Sequence, residues 1–252
     1  LDGAFHWLGR VFREAPDDMQ VRHQLERLGS VLQSWEKLAE VYQEYLDDES
    51  SDAPEVRSVA STLAEVYDKR LEKVERALDA YKRVLQGDPD DLRTFGAAES
   101  MLLRAERWPE LVGFYEENVH ASLDESRRQQ IYGKLAQVHE TRLSDNGRAI
   151  DALRALLEIN PENDAAIGEL DRLLQAQSNW YDLADLLQQQ IDRAQTDDQV
   201  VSYRLRLAQL REKKLEDIEG AIEQYEMVLA MPGGGIGLAA LERLVVDKRH
   251  QE

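Results

Sequence analysis

The chain contains no cysteine. Disulfides, thiolate metal sites and cysteine nucleophiles are therefore excluded together, although a chain without thiols suits reducing and oxidising compartments alike. It also lacks any apolar run of about eighteen residues, so no segment is built for direct membrane insertion as a helix. The opening Leu1-Asp2-Gly3-Ala4 has neither the basic nor the apolar region of a signal peptide. Basic residues are scarce: 31 Lys and Arg stand against 50 Asp and Glu, a formal charge of −19. Such a field repels phosphate backbones and anionic lipid, which argues against nucleic acid and favours a protein or peptide partner, basic if charge takes part. Histidine is too sparse for a zinc helix. No two of His6, His23, His120, His139 and His250 are four residues apart. Glycine clusters only at Gly233-Gly234-Gly235-Ile236-Gly237, where a helical pattern precedes and no Gly-Lys-Ser/Thr follows. A flexible junction fits that stretch better than a phosphate cradle. These absences lead to an expectation of no cofactor, no metal and no catalytic residue. They fix no compartment; a soluble, cytoplasmic protein is the expectation.

What is present is repetition. Trp35, Trp108 and Trp180 open one phrase, with Leu38, Leu111 and Leu183 three residues on, and stand 73 and 72 residues apart. Ala4, Ala77, Ala149 and Ala221 each precede an aromatic or leucine by four, at intervals of 73, 72 and 72. Pro16, Pro89 and Pro161 each lie 12 residues after such an alanine, and Pro232 lies 11 after Ala221. Three independent markers sharing one period define a repeat array.

Inside one period the apolar residues follow a helical rhythm. Val59, Leu63, Val66 and Tyr67 form one stripe between Val56 and Arg70, and Ala77, Leu78, Tyr81, Val84 and Leu85 form the next. Pro89 stops that helix, and Leu92, Phe95, Ala98 and Leu102 line a third before Trp108 begins a fourth. Helices this short are marginal alone in water, so each must be held by its neighbours.

These phrases resemble the tetratricopeptide repeat. Leu63-Ala64-x2-Tyr67, Ala77-x3-Tyr81 and Pro89 match its landmarks, as do Leu135-Ala136-x2-His139 with Ala149-x3-Leu153 and Pro161, and Leu207-Ala208 with Ala221-x3-Tyr225. Alanine replaces the first-helix glycine, Ala60, Tyr132 and Arg204 stand where the family has tryptophan, and the turn is one residue longer. The alternate hairpins are more divergent and carry their tryptophan at the start of the second helix. The resemblance covers essentially the whole chain. It implies an all-α, right-handed superhelical solenoid of antiparallel helix hairpins with about 14 helices. Residues 1–252 are expected to be one solenoid segment of six full hairpins with a half hairpin at each end, part of a longer array. Ile236 to Val246 is expected to be the unpartnered last helix.

The same resemblance implies a concave face lined by the first helix of each hairpin. Its candidate partner-binding residues are Ser61, Glu65 and Asp68, then Arg93 and Ser100, then Gln130, Lys134, Gln137 and Glu140, then Arg172 and Gln175, and finally Arg206, Gln209 and Glu212. The set lacks the lysine and asparagine cluster with which some family members clamp a carboxylate tail. A scaffold that binds proteins or peptides is the leading reading; a structural spacer or oligomerising arm is the alternative. An aspartate-rich all-α enzyme is disfavoured, because Asp17-Asp18, Asp90-Asp91 and Asn163-Asp164 recur with the repeat and follow its proline, as helix caps do. Asp47-Asp48 and Asp197-Asp198 add no metal-binding pattern, and Asp47 to Asp52 is expected to be a charged loop. The three tryptophans are expected to be core, packed on the preceding helix, and His139 to pack between helices.

Overall fold

The computed structural model describes residues 2–48, 53–232 and 234–251. Among them are fourteen α-helices and no strand. The chain divides into two compact units, residues 1–143 and 144–252. Each is a run of antiparallel helix pairs.

The first unit begins with α1 (Asp2–Glu14), which packs on the pair α2 (Met19–Leu32) and α3 (Trp35–Asp48). The pair α4 (Pro54–Lys69) and α5 (Val74–Gly87) follows, then α6 (Leu92–Arg104) with α7 (Trp108–Ala121), and α8 (Glu125–Thr141) completes the unit. In the second unit, α9 (Asn146–Ile159) packs on α10 (Asp164–Ala176), which pairs with α11 (Trp180–Arg193). Next come α12 (Asp197–Leu210), a π-helical extension Arg211–Leu215, and α13 (Ile218–Leu229). A 3-10 turn, Gly234–Gly237, leads into α14 (Leu238–Gln251), so the glycine stretch forms a tight turn over the residues described; Gly233 lies outside them.

The repeat markers explain the pairing. Ala64 and Ala77 are fully buried where α4 meets α5, and Ala208 and Ala221 where α12 meets α13. A methyl side chain at that crossing lets the backbones come close, and large residues beside it fill the remaining space. Tyr42, Tyr67, Tyr81 and Tyr115 are all but sealed from solvent. In the second unit Tyr225 and Leu244 pack with Ala208 and Ala221, backed by Leu205, Ile218 and Ile222.

The helix starts are built as expected. Asp18 accepts from the backbone N–H of Gln20 at 2.8 Å, Asp91 from those of Arg93 and Thr94 at 3.0 and 3.2 Å, and Asn163 from that of Ala166 at 3.0 Å. Each satisfies donors that a helix leaves orphaned at its first turn. In the fourth acidic pair the cap is Thr196, whose hydroxyl accepts from Gln199 N–H, and Asp197 and Asp198 occupy the first turn. Asp47 and Asp48 end α3; the rest of the expected loop, 49–52, lies outside the described residues.

Among the described residues six non-glycine residues adopt left-handed backbone, and all lie in turns following a first helix: Gln33, Glu72, Glu106, Ser144, Ser178 and Glu216. They form two sets at the repeat spacing. Gln33, Glu106 and Ser178 sit in tight turns closed by the next residue's N–H on a carbonyl five back, as Ser34 on Gly29 at 2.9 Å. Glu72, Ser144 and Glu216 sit in the longer turns.

Candidate functional site

The sequence-derived candidates lie on first helices, but their side chains serve different ends. Asp68 is buried and ion-pairs with Arg104 of α6. Glu65 pairs with Lys69 at 3.0 Å along its own helix and with Arg93 of α6 at 3.2 Å. Lys134 of α8 reaches back to Glu99 of α6 at 2.5 Å. In the second unit Arg206 of α12 reaches Asp171 of α10 at 2.6 Å, and Glu212 pairs with Arg243 of α14. Arg172 pairs with Glu169 one turn away at 2.5 Å, and Gln175 donates to Asp171. Ser100, Gln130, Gln137 and Gln209 are exposed, while Ser61 and Glu140 are half-buried.

The arrangement within each unit is a ladder. An acid on one first helix meets a cation on the next first helix, so neighbouring pairs are tied by rungs. Tyrosines strengthen the acid side. The Tyr115 hydroxyl donates to Glu99, and that of Tyr225 to Glu212 at 3.2 Å. Burial, reinforced by the neighbouring carboxylate, pushes the Tyr225 hydroxyl up to about 12 and those of Tyr42, Tyr81 and Tyr115 higher still. These phenols remain donors throughout the neutral range. The rung partners Glu99, Arg104, Asp171 and Arg243 were absent from the sequence-derived set. For Glu99 and Asp171 the signal was present in the spacing: Glu26, Glu99 and Asp171 stand 73 and 72 apart, and the facing Thr62, Lys134 and Arg206 stand 72 apart.

The tryptophans differ from expectation. Trp35, Trp108 and Trp180 are half-buried rather than sealed in the core. A cation from the end of the following first helix covers each ring: Arg70 over Trp35 at 4.9 Å, Arg142 over Trp108 at 4.8 Å and Lys214 over Trp180 at 4.9 Å. The ring sits at the very start of its helix, where there are too few neighbours to enclose an indole, and a long cationic side chain forms the lid instead. His139 is buried as expected.

Among the described residues no group of three His, Asp or Glu side chains is placed to hold a metal ion, and no helix is long and apolar enough to cross a membrane. No family model matches the chain, and no curated protein matches it. Solved structures similar to it include YrrB, described as a TPR protein with an unusual peptide-binding site, at 15% identity over 84% of this chain and 99% of that one, with a TM-score of 0.36. Another is PilF of Pseudomonas aeruginosa, at 15% identity over 95% and 99% of the two chains, with a TM-score of 0.35. A third is a putative kinesin light chain of Podospora anserina with TPR-like repeats, at 18% identity over 70% and 94%, with a TM-score of 0.37.

Proposed function

We propose that this chain is a protein-interaction scaffold that receives a partner protein or peptide on the first helices of a unit. The observation that carries the reading is the contrast between neutralised rungs and open polar positions on those helices. Asp68, Lys134, Arg206 and Glu212 are spent on intramolecular pairs. Ser100, Gln130 and Gln137 in the first unit and Gln209 in the second are exposed beside them, with both donor and acceptor capacity. A rigid ledge of amide and hydroxyl groups suits the main chain of an extended segment, and the overall charge of −19 selects against acidic ones.

Panning a displayed peptide library on the purified chain tests this. The expected result is enrichment of peptides whose binding is lost when Gln130 and Gln137 are both replaced by Ala, with helicity unchanged. Enriched peptides that ignore those substitutions and also Gln209→Ala would move the site elsewhere. A chain that enriches nothing would favour a spacer.

A further inference from the structure

Among the described residues, one copy of the rung that Glu99 makes with Lys134 lacks its cation. Glu99 of α6 meets Lys134 of α8, and Asp171 of α10 meets Arg206 of α12. One period earlier the acid is kept as Glu26 of α2, but α4 offers Thr62 where the other copies carry Lys134 and Arg206. The Thr62 hydroxyl donates to the Ser58 carbonyl of its own helix at 3.2 Å and so does not replace the cation. Where a lysine or arginine side chain would run, a pocket of about 510 Å³ opens instead, with Glu26 and Thr62 on its wall and Trp35, Leu38 and Val66 among its apolar residues. Glu26 Oε1 lies 3.3 Å from the Tyr42 hydroxyl, which orients the carboxylate.

We propose that this pocket takes the side chain of a lysine or arginine from a bound peptide, which completes the rung in trans. The inference rests on the scaffold reading and names the chemistry of its partner. Arg27, Lys69 and Arg70 also line the pocket and oppose a guest cation, but the third copy shows that such company is tolerated. There Arg172, Lys213 and Lys214 stand at the corresponding positions, and Arg206 still lies 2.6 Å from Asp171. Two of the three pocket cations are moreover engaged: Lys69 with Glu65 at 3.0 Å and Arg70 on the Trp35 ring at 4.9 Å. The guest's methylene stem would lie on Val66 and the indole, and its charged end would reach Glu26.

The test uses the full chain and an acetylated, amidated pentapeptide Gly-Ser-Arg-Ser-Gly, with the same peptide carrying neutral citrulline as control. The Trp35 indole N–H resonance, assigned by its loss in Trp35→Phe, is followed through the titration. A saturable shift with the arginine peptide is expected, weakened about tenfold or more by Glu26→Gln, as suits a hydrogen bond to a charged group. Thr62→Lys is expected to abolish binding while raising the melting temperature, because it fills the rung from within; Thr62→Ala is expected to leave binding intact. Equal shifts from the citrulline peptide, or affinity unchanged in Glu26→Gln, would overturn the proposal. So would the absence of any saturable shift, and if library peptides still bind through Gln130 and Gln137, the scaffold reading survives that failure. If Thr62→Lys does not fold, Glu26→Gln and the citrulline control decide alone.

Discussion

Replacing Glu99 tests whether the ladder is structural. Its side chain is only 15% exposed, accepts from the Tyr115 hydroxyl and lies 2.5 Å from the Lys134 ammonium. Glu99→Ala strands the hydroxyl of a buried tyrosine, which costs about 1–3 kcal/mol. It also removes an ion pair whose lysine is 40% exposed, and pairs of that exposure are worth only about 0.2–1 kcal/mol. The sum points to about 2 kcal/mol for the alanine. Glu99→Gln keeps an acceptor for Tyr115 and should cost about 1 kcal/mol or less. Urea denaturation of Glu99→Gln, Lys134→Met and the double variant should give a coupling of about 0.5–1 kcal/mol. Most of it should vanish in 1 M salt, where the screening length falls to about 3 Å, while the difference between alanine and glutamine persists. Equal costs for Ala and Gln, with no coupling to Lys134, would show that water already solvates the carboxylate and that the rung is ornamental.

Trp108→Ala should destabilise by about 2 kcal/mol, below the 3–5 of a fully buried indole, because part of the residue is already exposed; thermal melting checks it. Asp91→Ala should cost about 1 kcal/mol through loss of the α6 cap. Burial works against the Asp91 carboxylate, but hydrogen bonds from the Thr94 hydroxyl and backbone outweigh it and hold its pKa below the usual range. Its stabilisation is therefore present above the ordinary carboxylate pKa and lost as pH falls through the lowered one, and an acid titration of stability should be flatter in Asp91→Ala. The tyrosines act at the other end of the scale. Their raised pKa values mean stability that is full below pH 10.0, the unfolded value, and lost as pH rises towards about 12 for Tyr225; Tyr225→Phe should reduce the alkaline loss measured by circular dichroism. Finally, Glu72 pays the steric cost of left-handed backbone at φ 52°, so Glu72→Gly should stabilise by up to about 1 kcal/mol in the same denaturation assay.

The fold was legible in the sequence because period and polarity agree. Alanine, tyrosine and proline recur at fixed spacing, and each has a mechanical role that only one register satisfies: a close crossing, a large plug and a stop. The caps Asp18, Asp91 and Asn163 were legible for the same reason, each following a proline that had already ended the previous helix. The candidate surface was less so. Helical spacing says which side of a helix faces outward, but it does not say that Asp68 will be drawn against a neighbouring arginine and buried, or that Glu212 will be paired and half-buried in the same way. That depends on a cation 36 or 31 residues away, and such a pairing becomes visible only when successive helices are set side by side. The tryptophans misled for a related reason. Their register with Leu38, Leu111 and Leu183 matched a core position, yet a ring in the first turn has no preceding turn of its own helix to cover it.

The clamp on the tryptophan and the rung beside it act at the same joint, between a hairpin of the tight-turn set and the long-turn hairpin that follows. All three copies of the clamp are intact in the structure: Arg70, Arg142 and Lys214 each cover an indole. The rung is complete in two copies and lacks its cation at Thr62. This matters for how the open joint is held. Loss of a rung alone would let the two first helices close over the space, because a vacancy flanked by flexible side chains is cheaply collapsed. With Arg70 seated on Trp35, the end of α4 is fixed to the start of α3, and the Tyr42 hydroxyl fixes Glu26 from the other side. The pocket is thus braced at both ends without its rung. Removing the brace should then separate two properties that the intact joint combines. Although Arg70→Ala also removes a charge that opposes the guest, loss of the brace should outweigh that and weaken capture of the arginine peptide with little change in the melting temperature. By contrast Arg142→Ala, at a joint whose rung is filled, should lower the melting temperature and leave capture unchanged. Identical effects of the two substitutions on both measurements would show that the clamp holds the hairpins together and has no part in keeping the pocket open.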